Sequence, residues 1–147
     1  MDAVHETLHF TQEIDAPIDT VWAAYADVDS RREWSVPAGE EIVYDLADFT
    51  TGGEDIYRCG PPDDLSNLGA HRYHLIDAPH RLIYSDAVQR DGELMAVALL
   101  TWELEATEAG TRITVVDQVT SLVGQGMVEG HHNGHTKTLA QLANWLS

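Results

Sequence analysis

Lysine is all but missing from this chain: Lys137 is the single one, and 8 basic side chains face 25 acidic ones, a formal charge of −17 over 147 residues. So small a supply of cations repels phosphate backbones and anionic membrane surfaces, which argues against nucleic-acid binding and leaves a solubilising acidic surface as the plain reading. Cysteine is equally scarce. Cys59 stands alone, so no internal disulfide can form, in keeping with a reducing compartment, and an isolated cysteine reads as a small inert hydrophobe rather than a nucleophile. Long apolar runs are missing too. The longest nearly uncharged stretch in a strand-like region, Leu94 to Trp102, is about half of what a membrane-spanning helix needs. The opening MDAVHETLHF has neither the basic nor the apolar character of a signal peptide, so the expectation is a cytoplasmic protein with no membrane insertion. There is no low-complexity tract and no solenoid repeat, and no Ser/His/Asp order, phosphate loop or dinucleotide fingerprint can be placed. GGED at 52–55 belongs to a hairpin and lacks the downstream helix that a phosphate-binding loop opens. No cofactor is implied.

What is present is a globular balance of 44% hydrophobic and 22% charged residues, in a chain of the size of one domain spanning 1–147. Residues 6–14 alternate, with Leu8, Phe10 and Ile14 on one face, which is a strand period. The following DAPIDTVWAAYAD puts Pro17 in a first helical turn and repeats Ile18, Val21, Trp22 and Tyr25 at helical spacing. A second short helix over 29–34 would take Asp29 or Ser30 as its cap. Strand-like runs then follow at 42–49, 54–59, 70–77, 81–88, 94–106 and 111–120, separated by turn clusters rich in Gly, Pro and Asp. Connections this short leave no room for crossover helices, so the runs form a meander of antiparallel hairpins, with the loop from Gly60 to Leu68 as its mobile rim. From about 126 to 146, Val128, His131, His135, Leu139, Leu142 and Leu146 fall in one helical stripe. The predicted class is α+β. One strand, two short helices and six further strands make a curved antiparallel sheet of about seven strands, wrapped around a long C-terminal helix.

Five segments in this order carry a resemblance: IDAPIDTVWAAYAD with REW at 32–34, FTTGGEDIYR at 49–58, IDAPHRLIY at 76–84, GTRITV at 110–115 and EGHHNGHTKTLAQLANWL at 129–146. Nearly end to end, the chain resembles the START-like (SRPBCC, helix-grip) superfamily, and within it the bacterial branch related to the activator of the heat-shock-protein-90 ATPase. The resemblance implies a deep cavity between sheet and last helix, of the kind used for lipids, polyketides, aromatic metabolites or other apolar molecules. It implies no reaction. Where the family's last helix usually reads Gly-Trp, this chain has Gly134-His135, a titratable group in place of an apolar wall.

The histidines of that last helix are the sharpest chemical feature. His131 and His135, four apart, share a helix face and are spaced to bind zinc or a similar ion; no HExxH pattern accompanies them, and Asp117, His71 or His74 would complete a site only if the fold brings one near. No metal is assigned, with His131 and His135 as the weak candidates, and His132 reads as solvated. Asp117 continues the apolar alternation of Ile113, Val115 and Val119, and an inward carboxylate needs a partner or a raised pKa. With His135 it is a weak candidate for a general-base dyad, so no catalytic residue is assigned either. Trp34, Tyr57, Tyr73, Tyr84 and Trp102 offer apolar area with a polar tip, and with Asp117, His131 and His135 they make the expected ligand-binding set, Trp34 and Tyr73 nearest the pocket. Arg58, Arg72 and Arg81 read as surface ion pairs rather than as a clamp for an anionic ligand.

The expected function is therefore binding or carriage of a small apolar or aromatic molecule. The alternatives are a cyclase, dehydratase or hydrolase acting on a polyketide-like or aromatic substrate through His135 and Asp117, and a chaperone-related interaction module. Long edge strands leave a homodimer open.

Overall fold

Every second residue from Ala96 to Leu104 and from Thr111 to Ser121 is buried, and these two runs are adjacent strands of one sheet. The computed structural model describes residues 2–147. Its elements are β1 (Val4–Ile14), α1 (Ile18–Ala26), α2 (Val28–Trp34), β2 (Glu41–Ala47), β3 (Glu54–Gly60), β4 (Asn67–Asp77), β5 (Arg81–Arg90), β6 (Glu93–Ala106), β7 (Thr111–Ser121) and α3 (Gln125–Trp145). All seven strands form one antiparallel sheet in the order β1-β7-β6-β5-β4-β3-β2, with β1 and β2 at its open edges. The helix-grip α+β architecture expected from the sequence is what the structure has.

Period-two burial gives the sheet one apolar face, and α3 packs on it through Val128, Leu139 and Leu142. His131 and His135 lie between those anchors on the same stripe, so the side of the helix that makes the core also turns two imidazoles toward the sheet. The helices α1 and α2 close the other end, where Tyr25 packs within 5.4 Å of Trp102 and 6.2 Å of Trp34, ring centre to ring centre.

Two local expectations are corrected. The cap of α2 is neither Asp29 nor Ser30 but Asp27, whose carboxylate accepts from the Ser30 amide at 3.2 Å and from its hydroxyl at 2.7 Å. Pro17 is the cap residue of α1, in an extended conformation, rather than part of its first turn. Strand ends move by a few residues: β4 begins at Asn67, and β2 stops at Ala47, with a bulge between Tyr44 and Leu46 in its pairing with β3.

Candidate functional site

A cavity of about 240 Å³ opens between α2, α3 and the concave face of the sheet. Its apolar side is built by Trp34, Val36, Ile42, Leu100 and Trp102, and its polar side by His71, Asp86, His131 and His135, with Tyr57 and Tyr84 between them. Two networks of ionisable groups stand behind this wall.

The first joins α3 to β7. Register places Asp117 between Leu8 of β1 and Leu100 of β6, so a carboxylate emerges among apolar neighbours. Its Oδ2 lies 2.8 Å from Nδ1 of His131 and 2.9 Å from Nε2 of His135, while Oδ1 is buried without a partner among the described residues. Burial alone would raise the carboxyl of Asp117, but the hydrogen bonds and charge of the two histidines outweigh it and hold it down at about 2. Burial likewise disfavours a charged His131, and the carboxylate overcomes it, so the imidazole titrates above its ordinary range.

The second network centres on Arg31 and Asp55. Nη1 of Arg31 donates to Oδ2 of Asp55 at 3.1 Å and to the Tyr73 hydroxyl at 2.5 Å, and Tyr73 in turn donates to the same carboxylate oxygen. The guanidinium is held between the rings of Tyr25 and Tyr44, 4.7 and 4.8 Å from their centres. His71 links this group to the cavity: its Nδ1 lies 3.1 Å from Asp55 and its Nε2 3.7 Å from Asp86, which also accepts from the Tyr57 hydroxyl at 2.8 Å. Burial and the nearby Asp86 carboxylate push Tyr57 well above its ordinary value, so the phenol stays protonated and donates. Cys59, also on the cavity wall, is pushed up to about 11 by burial and by Glu40 and Asp86, which keeps it a thiol at neutral pH.

The expected ligand-binding residues divide into two groups. Trp34, Tyr57, Tyr84, Trp102, His131 and His135 reach the cavity wall. Tyr73 and Asp117 do not: Tyr73 is fully buried against Arg31 and Asp55, and Asp117 sits behind the two histidines. Of the residues that would complete a histidine site, the fold brings Asp117, while His71 joins the other network and His74 bonds Ser85 on an exposed part of β4. Arg58 and Arg81 pair with Asp45 and Glu103 at the surface, and Arg72 is exposed. Arg31 escaped the sequence reading, as did Asp55 and Asp86. The signal for Arg31 was its place three residues before Trp34 on one helical face; its neighbour Arg32 faces solvent and Asp29 instead.

Comparison with known proteins agrees with this architecture. The family model described as "Activator of Hsp90 ATPase homolog 1-like protein" matches residues 15–147. Among solved structures, an uncharacterised protein from Rhizobium leguminosarum is 26% identical, with a TM-score of 0.87 over 99% of this chain and 96% of that one. A protein from Arthrobacter aurescens is also 26% identical, with a TM-score of 0.83 over 93% of this chain and 83% of the other. A Rhizobium loti protein at 24% identity shares the fold, with a TM-score of 0.86 over 98% and 99% of the two chains. No curated protein matches the chain.

Proposed function

Because the chain belongs to the activator of Hsp90 ATPase homolog 1-like family, a START-like family, we propose that it binds a small apolar or aromatic molecule between the sheet and α3. The observation that carries this reading is the cavity itself. At about 240 Å³ it exceeds the roughly 150 Å³ of an apolar cavity that takes up benzene, and falls short of the roughly 300 Å³ at which drug-sized pockets begin. A molecule of one or two rings fits that range, whereas a long acyl chain would have to leave part of itself outside. Trp34 and Trp102 supply stacking area, and His71, Asp86, His131 and His135 offer donors and acceptors for one polar end. The chaperone activity in the family's description does not transfer with the fold.

The test is a screen of one- and two-ring aromatic compounds, read by the indole ¹⁵N–¹H resonances of the four tryptophans. Binding in the cavity shifts Trp34 and Trp102 and leaves Trp145, exposed near the C-terminus, unmoved. A panel of such compounds that shifts neither cavity indole would sink the reading.

A second reading, acid–base chemistry on the bound molecule, is favoured by the 2.9 Å contact of His135 with Asp117 at the cavity wall. Turnover that survives His135→Ala unchanged would remove these residues from any such mechanism.

A further inference from the structure

We propose that Asp117, His131 and His135 form a site for one divalent first-row transition ion of the zinc class, open toward the cavity. Three observations converge on it. The first is spacing: four residues apart on α3, the two imidazoles present Nδ1 of His131 and Nε2 of His135 to a common point, and β7 delivers Oδ2 of Asp117 to that point, 2.8 and 2.9 Å from them. All three ligand atoms lie within 4.8 Å of one another. Ligands about 2.1 Å from a zinc ion stand at most about 4 Å apart across it, so the side chains need only small rotations to close around an ion.

The second observation is what the cluster leaves unmet without one. Both imidazoles aim at the same carboxylate oxygen, while the other, Oδ1 of Asp117, is buried with no hydrogen-bond partner among the described residues. A buried orphaned acceptor is costly, and a cation between the three side chains gives both carboxylate oxygens a counter-charge. The third is the donor set. Two imidazole nitrogens and one carboxylate suit zinc, cobalt, nickel or ferrous iron; calcium and magnesium call for oxygen ligands throughout.

Three protein ligands leave a coordination position free, and the placement of the two histidines on the cavity wall gives its direction. His131 and His135 both line the cavity, and Gly134 between them adds no side chain, with open space where a Cβ would stand. The free position would therefore face the cavity, where water or an oxygen of a small molecule would complete the sphere. Closed structural zinc sites use four protein ligands; a three-ligand site opening on a cavity is the arrangement that lets an ion meet a small molecule. Metal binding does not depend on the ligand-binding reading, and each is tested without the other.

The experiment titrates chelator-stripped protein with Zn²⁺ by calorimetry and with Co²⁺ by visible absorption, with no organic ligand present. Wild type is expected to bind one equivalent, and His135→Ala and Asp117→Asn to bind it at least about 100-fold more weakly, since even second-shell changes cost about 10–100-fold. His132→Ala, on the exposed flank of α3, is expected to bind as wild type does. Equal affinity in His135→Ala and Asp117→Asn, or no stoichiometric equivalent in wild type, overturns the proposal. Should either variant fail to fold, Co²⁺-induced broadening of the wild-type NMR spectrum decides. Broadening centred on Gly134 and Thr138 supports the site, and broadening centred on His5 and His9 at the exposed face of β1 overturns it.

Discussion

Nη1 of Arg31 lies 3.1 Å from Oδ2 of Asp55, and neither side chain reaches solvent. The pair ties α2 to β3 and, through Tyr73 and His71, to β4, and Arg31 and His71 from this group line the cavity. Removing one partner leaves the other as an uncompensated buried charge, which costs about 3–5 kcal/mol. Asp55→Ala is therefore expected to lower stability by that amount in urea denaturation. Arg31→Met combined with Asp55→Leu is expected to lose less than the two single changes added together, because no lone charge remains. Strict additivity would mean that the pair is not coupled.

The same network fixes a pH dependence. Burial would raise the carboxyl of Asp55, but the hydrogen bond from His71, the charge of Arg31 and the hydrogen bond from Tyr73 lower it below its ordinary value. A carboxyl depressed in the folded state contributes stability that is fully present above its unfolded pKa of about 3.9 and is lost as pH falls through the folded value. The wild-type protein should thus lose stability steeply below about pH 4. In Asp55→Asn the curve should be lower at neutral pH and flatter on the acid side, as measured by thermal unfolding at a series of pH values. An acid limb equally steep in that variant would assign the loss to other carboxylates.

The sheet and the long helix were legible because their signals are local. Alternation from Ile113 to Val119 and the stripe from Val128 to Leu142 each follow from a fixed backbone period, and the turns are marked by Gly, Pro and Asp. Even the inward carboxylate of Asp117 follows from parity. Its pairing with His135 could be named as well, because the helical stripe and the strand parity meet there, but the partners in the second network were not legible, because they depend on register between distant strands. Nothing near Asp55 in sequence says that β4 will set His71 opposite it, or that β5 will set Asp86 opposite His71. Tyr73 was expected at the pocket on the correct parity, yet Arg31, arriving from α2, occupies the space its hydroxyl would have faced.

Gly69 is a second place where register decides the site. It pairs with Tyr57 across β3 and β4, and the Tyr57 ring lies over it so closely that a Cβ there would come within 2.0 Å of the ring's Cζ. The glycine is what allows the phenol to reach Asp86. Gly69→Ala must displace a ring packed inside the cavity wall, an overpacking strain of about 1–3 kcal/mol. We expect a drop in stability of that size together with loss of the Tyr57–Asp86 hydrogen bond, whereas Tyr57→Phe should lose the bond without the overpacking cost. A fully stable Gly69→Ala variant with an unshifted Tyr57 resonance would contradict this account of the wall.

Gln141 controls the rim on the other side. From α3 its amide nitrogen donates to the carbonyls of Trp34 at 2.9 Å and Val36 at 2.7 Å, and its oxygen accepts from the Ala38 amide at 3.0 Å. One side chain thus holds the end of α2 and the link from α2 to β2 against α3, and Trp34 at that helix end and Val36 in the link are part of the cavity wall. Each net hydrogen bond is worth about 0.5–1.5 kcal/mol, so the loss of three in Gln141→Ala should cost about 1.5–4.5 kcal/mol. The loss should be local as well as global: amide exchange at residues 35–40 should quicken more than in the core of β6 and β7, and a cavity-bound aromatic molecule should dissociate faster. Uniform acceleration across the chain would make Gln141 an ordinary stabilising contact. Selective acceleration at the link would make it the latch through which the cavity opens, because the segment it frees is the one that lies between the cavity and solvent without a strand of its own.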